Sequence, residues 1–304
     1  MRPVKIVNPA KVSNGFNKLT GGAILVANKI RHAIMGYRTP RPFDAGQIAR
    51  AVDYDFSVVG GWLDCLGQYC GDAAGLSGRR VLELGPGADL GVGLILLSMG
   101  AAKYTAFDVH NLAESAGEEF YDALFEKLSP QTDIEALRRE LALAHNGSPN
   151  TLRYQCSSDF DLSVLDEGSI DLIVSQAAFE HFDDLERTID QMTKLASPGA
   201  VLVCEIDLAT HTRWIRDRDP LNIYRHSDAF YDRMKFRGSP NRVRPEEYRK
   251  MLADAGWSDI QQYPLAVLDE NYMSRVSPTL AKKFRSKTNE MECLSIALCA
   301  RINT

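Results

Sequence analysis

The 304-residue sequence predicts an open α/β sheet wound with helices, and three observations carry that prediction. Residues 81–84, Val-Leu-Glu-Leu, read as a short buried strand. It runs directly into the turn Gly85-Pro86-Gly87-Ala88-Asp89-Leu90-Gly91 and then a helix apolar at Leu90, Val92, Leu94, Leu96 and Leu97. Further short apolar runs at 104–108, 152–156, 170–175 and 201–206 alternate with helical patterns, the order that builds a parallel sheet. A strand, a glycine turn and a helix in succession leave backbone N–H groups at a helix N-terminus with no Cβ to hold a ligand away. In an open α/β sheet that junction is the usual seat of a nucleotide-like ligand.

Composition narrows the class. Apolar residues make up 45% and charged residues 25%, the balance of a soluble globular protein, and a net charge of −5 argues against a nucleic-acid partner. The 6 cysteines form no C-x-x-C pair and several lie in apolar runs, as buried thiols of a reducing compartment do. No run reaches the ~18 apolar residues that cross a bilayer. The longest near the N-terminus, 23–27, is followed by Asn28, Lys29, Arg31 and His32 and lacks the features of a signal peptide, so a cytoplasmic location is expected.

Residues 1–43 hold Arg2, Lys5, Lys11, Lys18, Lys29, Arg31, Arg38 and Arg41, with no acid before Asp44. Ile24, Ala27, Arg31 and Ile34 fall at helical spacing, which predicts an amphipathic helix between Gly22 and Gly36. It either packs on the main domain with its basic side in water, or makes a weak contact with an anionic membrane or forms a collar for a substrate with a polar headgroup. Thr39-Pro40-Arg41-Pro42 breaks the chain before a helical stretch over 45–69, which Gly60-Gly61 is placed to divide. These features set 1–72 apart as a helical arm or cap and 73–304 as the main domain. Within the latter, 111–150 reads as a helical insertion and 245–256 as a helix, with the last strands at 260–267 and 293–302.

The glycine spacing, G-x-G-x-x-x-G, is one residue longer than a dinucleotide fingerprint, which disfavours a dehydrogenase. Glu83 precedes the first glycine by two residues, Asp108 closes the next strand, and the fourth strand runs into Gln176-Ala177-Ala178-Phe179-Glu180-His181. Together these resemble the class I S-adenosylmethionine (SAM)-dependent methyltransferases, with their E/D-x-G-x-G-x-G signature, over 80–205 and more loosely over 245–302. The resemblance implies a Rossmann-like, doubly wound seven-stranded sheet, mostly parallel, whose last strand is antiparallel. It also implies SAM as cofactor, with the site formed by Glu83, Gly85, Pro86, Gly87, Asp108, Val109, Asp159, Phe160 and Gln176. Asp108 would hold the ribose hydroxyls, Asp159 the adenine amine (Asp161 competing) and Phe160 the adenine ring. Tyr54 and Asp55, on a helix before the first strand, would face the methionine end.

A hydroxyl acceptor must lose its proton, and histidine is suited to take it. His181, just past the fourth strand, is the first candidate base or substrate contact, with His211, Asp207 and His226 as rivals; Glu180 is expected to brace the loop. Residues 207–245 are rich in aromatics and arginines, and the resemblance implies a lid there. Arg213, Tyr224, Arg225 and His226 would meet a sugar, carboxylate or phosphate. The strand end Ser-Gln-Ala-Ala is not the N/D-P-P-Y of base amino-methylation, so a polar small molecule or a glycan hydroxyl, possibly anionic, is the expected acceptor. Nitrogen or carbon acceptors, or a SAM-binding subunit without turnover, are the alternatives. No His, Asp and Glu stand at metal-ligand spacing, and no metal is expected.

Overall fold

The strand that carries the glycine turn lies inside the sheet, between two parallel neighbours. A computed structural model describes residues 3–9, 13–36 and 45–303. In chain order it comprises β1 (Lys5–Val7), α1 (Asn14–Met35), α2 (Ile48–Cys70), β2 (Arg80–Leu84), α3 (Gly91–Ser98), β3 (Lys103–Asp108), α4 (Glu118–Lys127), α5 (Ile134–His145) and β4 (Leu152–Cys156). There follow β5 (Ile170–Gln176), α6 (Leu185–Leu195), β6 (Ala196–Asp207), α7 (Arg213–Arg216), α8 (Asp228–Met234), α9 (Pro245–Asp254), β7 (Trp257–Leu268), α10 (Glu270–Val276) and β8 (Cys293–Ile302). The 8-stranded sheet runs β1-β7-β8-β6-β5-β2-β3-β4. Strand β8 alone is antiparallel to its neighbours, β6 and β7, as the resemblance implied.

The seven expected strands form, and β1 adds an eighth, pairing in parallel with β7 through Lys5↔Ala266 and Val7↔Leu268. Three residues carry too little periodicity to be read as a strand; the edge of β7 supplies what the local sequence lacks. Arg2, Lys11, Arg38, Arg41 and the break at 39–42 lie outside the described residues.

Helix α2 is continuous through Gly60 and Gly61. Its buried face, including Val52, Val59, Trp62 and Leu66, shares one core with Leu94 of α3, Phe120 and Leu124 of α4 and Val174 of β5. Packing of this face outweighs the helix cost of glycine, about 1 kcal/mol each. The close approach depends on Gly91, where a Cβ would lie 2.1 Å from Asp55 Oδ2. The other face of the sheet is covered by α6 and α9 through Ile189, Met192, Tyr248 and Leu252.

A smaller third core holds the segment after β6. Leu221, Tyr224 and Tyr231 pack there with Tyr272 of α10 and Phe284, so the connection between β7 and β8 belongs to it as well. At its centre Arg225 and Asp219 form a bidentate pair, Nε–Oδ2 2.7 Å and Nη2–Oδ1 2.8 Å, with neither side chain exposed. Helix α1 rests on this segment through Asn222, whose Nδ2 donates to Asn17 O at 2.9 Å, and the absence of a Cβ at Gly21 admits the Asn222 side chain. The buried positions of α1 are Asn17, Gly21 and Ile24, while Phe16, Leu19, Val26, Ile30 and Ile34 are exposed. Ile34, expected on the same face as Ile24, therefore points away from the protein, and the helix packs with its more polar side inward.

Candidate active site

The site is built on the carboxyl ends of β2, β3, β4 and β5. Gly85 and Gly87 adopt positive φ of 76° and 82°, a region where a side chain is strained. Gly85 N–H donates to Phe107 O at 2.9 Å, tying the turn to β3. A Cβ on Gly85 would stand 2.6 Å from that of Ala178, so the turn also lies against the chain leaving β5. Asp108 orders the neighbouring turn, with Oδ1 accepting from Val109 N at 2.6 Å and His110 N at 3.2 Å, and Oδ2 from Gly87 N at 3.4 Å. Burial raises its pKa despite those bonds.

Beside this turn lies a pocket of buried acids. Glu83 accepts the hydroxyl hydrogen of Tyr104, and burial pushes its pKa up to about 8 although that bond works the other way. Where the methyltransferase signature has its third glycine this chain has Asp89, which accepts from Gly91 N at 2.8 Å in a local turn just before α3. Asp55 reaches in from α2. Burial first, and then Asp89 and Glu83, push its pKa up to about 10, and its Oδ2 has no hydrogen-bond partner. Tyr54, the other residue singled out on α2, is 56% exposed. Desolvation and then the acids Glu205, Asp55, Glu83 and Glu180 push its hydroxyl up to about 12.

At the end of β4, Phe160 takes a positive φ of 49° and sets its ring 5.3 Å from Phe107 and 4.7 Å from Phe182. Asp161 is engaged locally, accepting from Ser163 N at 3.1 Å and Gln191 Nε2 at 2.6 Å. Asp159 is exposed, with a long hydrogen bond from Ser158 Oγ at 3.4 Å and a loose ion pair with Arg237 at 3.8 Å. Of the two rival acids, Asp159 is the one with its oxygens available.

Past Gln176, which ends β5 in register with Glu205, Ala177 turns through a positive φ of 50° into the short 3-10 helix Phe179–His181. That turn brings His181 next to His211, ring centroids 4.6 Å apart and nearly perpendicular. His181 Nδ1 lies 2.6 Å from Gly238 O, and His211 Nδ1 lies 3.0 Å from Ala209 O. A carbonyl only accepts, so each Nδ1 carries the hydrogen and each neutral ring keeps its lone pair on Nε2. His211 Nε2 stands 3.7 Å from Glu180 Oε1 and 3.9 Å from Asp207 Oδ2. Burial opposes protonation of His211, yet Glu180 and Asp207 outweigh it and hold its pKa above the usual value. Burial and then His211 lower that of His181. Asp207 is already paired with Arg216 Nη1 at 2.5 Å and accepts from Ala209 N at 3.0 Å. Glu180, expected as a brace, is 2% exposed with both carboxylate oxygens lacking a hydrogen-bond partner. Sequence spacing hid this cluster because 30 residues separate His181 from His211 and only the adjacency of β5 and β6 unites them.

The other lid residues are not brought to this cluster. Tyr224 is buried, its hydroxyl donating to Leu208 O at 2.7 Å, and Arg225 is fully engaged by Asp219. His226 is buried, and burial followed by Lys18, Arg242 and Arg225 lowers its pKa to about 4. These three belong to the buried core of the segment after β6; the side chain of Arg213 lies outside the described residues. Aromatic and arginine richness suggested ligand contact, but the same residue types also build buried polar cores, and composition does not tell the two apart.

A glycine turn inside a doubly wound sheet, with acids at the following strand ends, defines an enzyme class that binds a nucleoside-bearing cofactor. Residues 63–262 match the family model described as a methyltransferase domain, and the chain belongs to that family. Similar solved structures include the CurJ carbon methyltransferase, 16% identical over 75% of this chain and 50% of that one, with a TM-score of 0.39. YcgJ of Bacillus subtilis is 14% identical over 79% and 98% of the two chains, TM-score 0.41. Phosphoethanolamine N-methyltransferase 2 of Haemonchus contortus, solved with SAM, is 14% identical over 97% and 61%, TM-score 0.44. This chain thus spans half the length of the first of these. A search of curated proteins found no match. The residues present suit the SAM that the resemblance implies: Gly85 and Gly87 turn at positive φ without side chains, and the buried Asp55 Oδ2 beside them lacks a hydrogen-bond partner.

Proposed function

We propose that this chain methylates a hydroxyl of a polar small molecule, sugar or glycan end, with the acceptor seated over Glu180, His181 and His211. One observation carries this reading. The two Nε2 lone pairs and the unpartnered Glu180 carboxylate are all hydrogen-bond acceptors, and a hydroxyl is a donor that suits them. SAM supplies a methyl group on a positively charged sulfur, open to in-line displacement. Gly85, Pro86 and Gly87 leave room for its tail, Asp108 holds the ribose, Asp159 the adenine amine, and Phe160 with Phe182 forms an apolar wall. Val109, Gln176 and Tyr54 border the site, and Glu83 with Asp55, both held protonated by burial, line the cleft with hydrogen-bonding carboxyl groups. Helix α2 acts as the cap over the cofactor and 207–245 as the lid over the acceptor. Holding the hydroxyl in line with the methyl supplies most of the acceleration. Arg225, Arg242 and Arg244 are buried and engaged within the protein, which favours a neutral polyhydroxyl acceptor over an anionic one.

Incubation with methyl-labelled SAM and a metabolite or glycan extract, followed by mass spectrometry of the labelled product, tests this reading. We expect an ether or ester methyl; label on nitrogen or carbon would overturn the acceptor assignment. His181→Ala should reduce turnover far more than SAM affinity measured by calorimetry, and equal loss of both would make that histidine structural.

We also infer that α1 rests on an anionic membrane surface. Phe16, Leu19, Val26, Ile30 and Ile34 form one exposed stripe opposite the buried Asn17, Gly21 and Ile24, with Leu19 and Ile34 each 78% exposed. A stripe of this kind on an acid-free, basic arm suits interfacial binding. No helix among the described residues is long and apolar enough to cross a membrane. Flotation with phosphatidylserine vesicles should recover the protein, and Leu19→Glu with Ile34→Glu should abolish recovery. Equal recovery on phosphatidylcholine alone, or none on either, would refute the inference.

A further inference from the structure

We propose that Glu180, His181 and His211 hold a divalent first-row transition-metal ion, which binds the acceptor hydroxyl. One ligand atom from each residue lies within 4.8 Å of the other two. Three independent features of the cluster point to an ion rather than to a chance gathering of polar groups.

The first is the second layer of contacts. Metal-bound histidines characteristically donate their remote N–H to a carbonyl or carboxylate, which fixes the tautomer and aims the lone pair. Both imidazoles do so here, His181 to Gly238 O at 2.6 Å and His211 to Ala209 O at 3.0 Å. The second is Glu180, 2% exposed with neither oxygen hydrogen-bonded. A buried carboxylate with no hydrogen bond, facing only the His211 ring at 3.7 Å, calls for a cation. The third is distance. His211 Nε2 and Glu180 Oε1 are 3.7 Å apart, beyond hydrogen-bonding reach. Two ligand atoms at about 2.1 Å from a tetrahedral ion are separated by about 3.4 Å, so the gap needs only a small contraction.

Asp207 is excluded from the ligand set because Arg216 and Ala209 N already occupy its oxygens. It remains as a negative charge behind His211. Two imidazoles and one carboxylate suit zinc, manganese, iron or cobalt better than calcium or magnesium. Three protein ligands leave a coordination position open, the arrangement of catalytic rather than structural sites. The ion would lie beyond β5, beside the chain that packs on Gly85, and so on the cofactor side of the cleft.

For the reaction, the proposal rests on the hydroxyl-acceptor reading, with the ion taking the two Nε2 lone pairs and the Glu180 oxygen that would otherwise accept the hydroxyl directly; the ion site itself stands on the geometry alone. The hydroxyl oxygen binds the ion and its proton passes to solvent water. That oxygen then forms the O–CH3 bond as the S–CH3 bond breaks, with the electron pair left on sulfur as neutral S-adenosylhomocysteine. Nothing is oxidised or reduced. The ion lowers the pKa of the bound hydroxyl in the way that a metal-bound water is acidified.

The test uses the untagged full chain, stripped with chelator and titrated with Co2+ followed by visible absorption, and with Zn2+ by calorimetry. One ion per chain is expected. Glu180→Gln and His211→Gln, each of similar volume to the native side chain, should weaken binding at least 10-fold while leaving SAM affinity within 3-fold. The SAM titration also shows that each variant is folded. Absence of one-to-one binding by the native chain, or equal binding by native chain and both variants, overturns the proposal. If the ion binds at this site but labelled methyl arrives on nitrogen or carbon, only the acceptor reading falls.

Discussion

Replacing Asp55 with asparagine should make this protein relatively more stable as the pH rises. Asp55 is 4% exposed, and burial, Asp89 and Glu83 push its pKa up to about 10. The tyrosines of the same pocket, Tyr104 and Tyr121, stay protonated because burial raises them further. In an unfolded chain the same carboxyl titrates near about 3.9. Between those values the folded state binds one proton more than the unfolded state, so its stability is complete below the lower value and declines as the pH rises toward the upper. The slope is about 1.4 kcal/mol per pH unit for each proton. From about pH 5 to about pH 8 this amounts to roughly 4 kcal/mol. Asparagine keeps the shape of the protonated acid and an N–H to offer Asp89, but does not titrate. Urea unfolding of wild type and Asp55→Asn at both pH values, without SAM, should show the variant gaining by that amount. A difference between the two proteins that stays constant with pH would refute the reasoning, since Asp55 would then be ionised in the folded state.

Other expectations follow from individual contacts. Asp108→Ala should weaken SAM binding by about 1.5–3 kcal/mol, the range for hydrogen bonds involving a charged group, and unchanged affinity in calorimetry would count against the ribose assignment. Arg225→Met leaves Asp219 buried and unpaired and should cost about 3–5 kcal/mol in denaturant unfolding, with much of the loss recovered in the double variant Arg225→Met, Asp219→Leu. Gly85→Ala meets both a φ of 76° and Ala178 at 2.6 Å. It should lower stability by at least the 1–2 kcal/mol of the left-handed backbone, about that much from strain alone. Gly60→Ala, in mid-helix with open space around the missing Cβ, should raise stability by about 1 kcal/mol; no gain would mean that α2 is not continuous there.

The parallel strands were legible because each is a short apolar run bounded by turn residues, and the helix expected over 245–256 forms as α9 from Pro245 to Asp254. The glycine turn, Asp108 and the Glu180-His181 pair were visible as local patterns. Features that depend on distant partners were not. β1 exists only against β7, and α2 survives two adjacent glycines because its opposite face is packed. The meeting of His181 with His211 depends on the neighbouring strand ends of β5 and β6. Arg225 looked like a substrate contact because an arginine reads the same whether its carboxylate belongs to a ligand or to Asp219. Burial decides between them, and burial is a property of the whole fold.

The short strand β1 has a consequence for how molecules of this protein behave toward one another. The outer margin of a sheet carries unpaired amides and carbonyls that can recruit a strand from another chain. Here that margin is β7: β1 covers Ala266, Val267 and Leu268, Pro264 removes one donor, and irregular register near Ser258 and Pro264 disturbs the rest. The sheet is thereby guarded against edge-to-edge aggregation at its β7 side, and the N-terminal arm acts as a stopper for that open end.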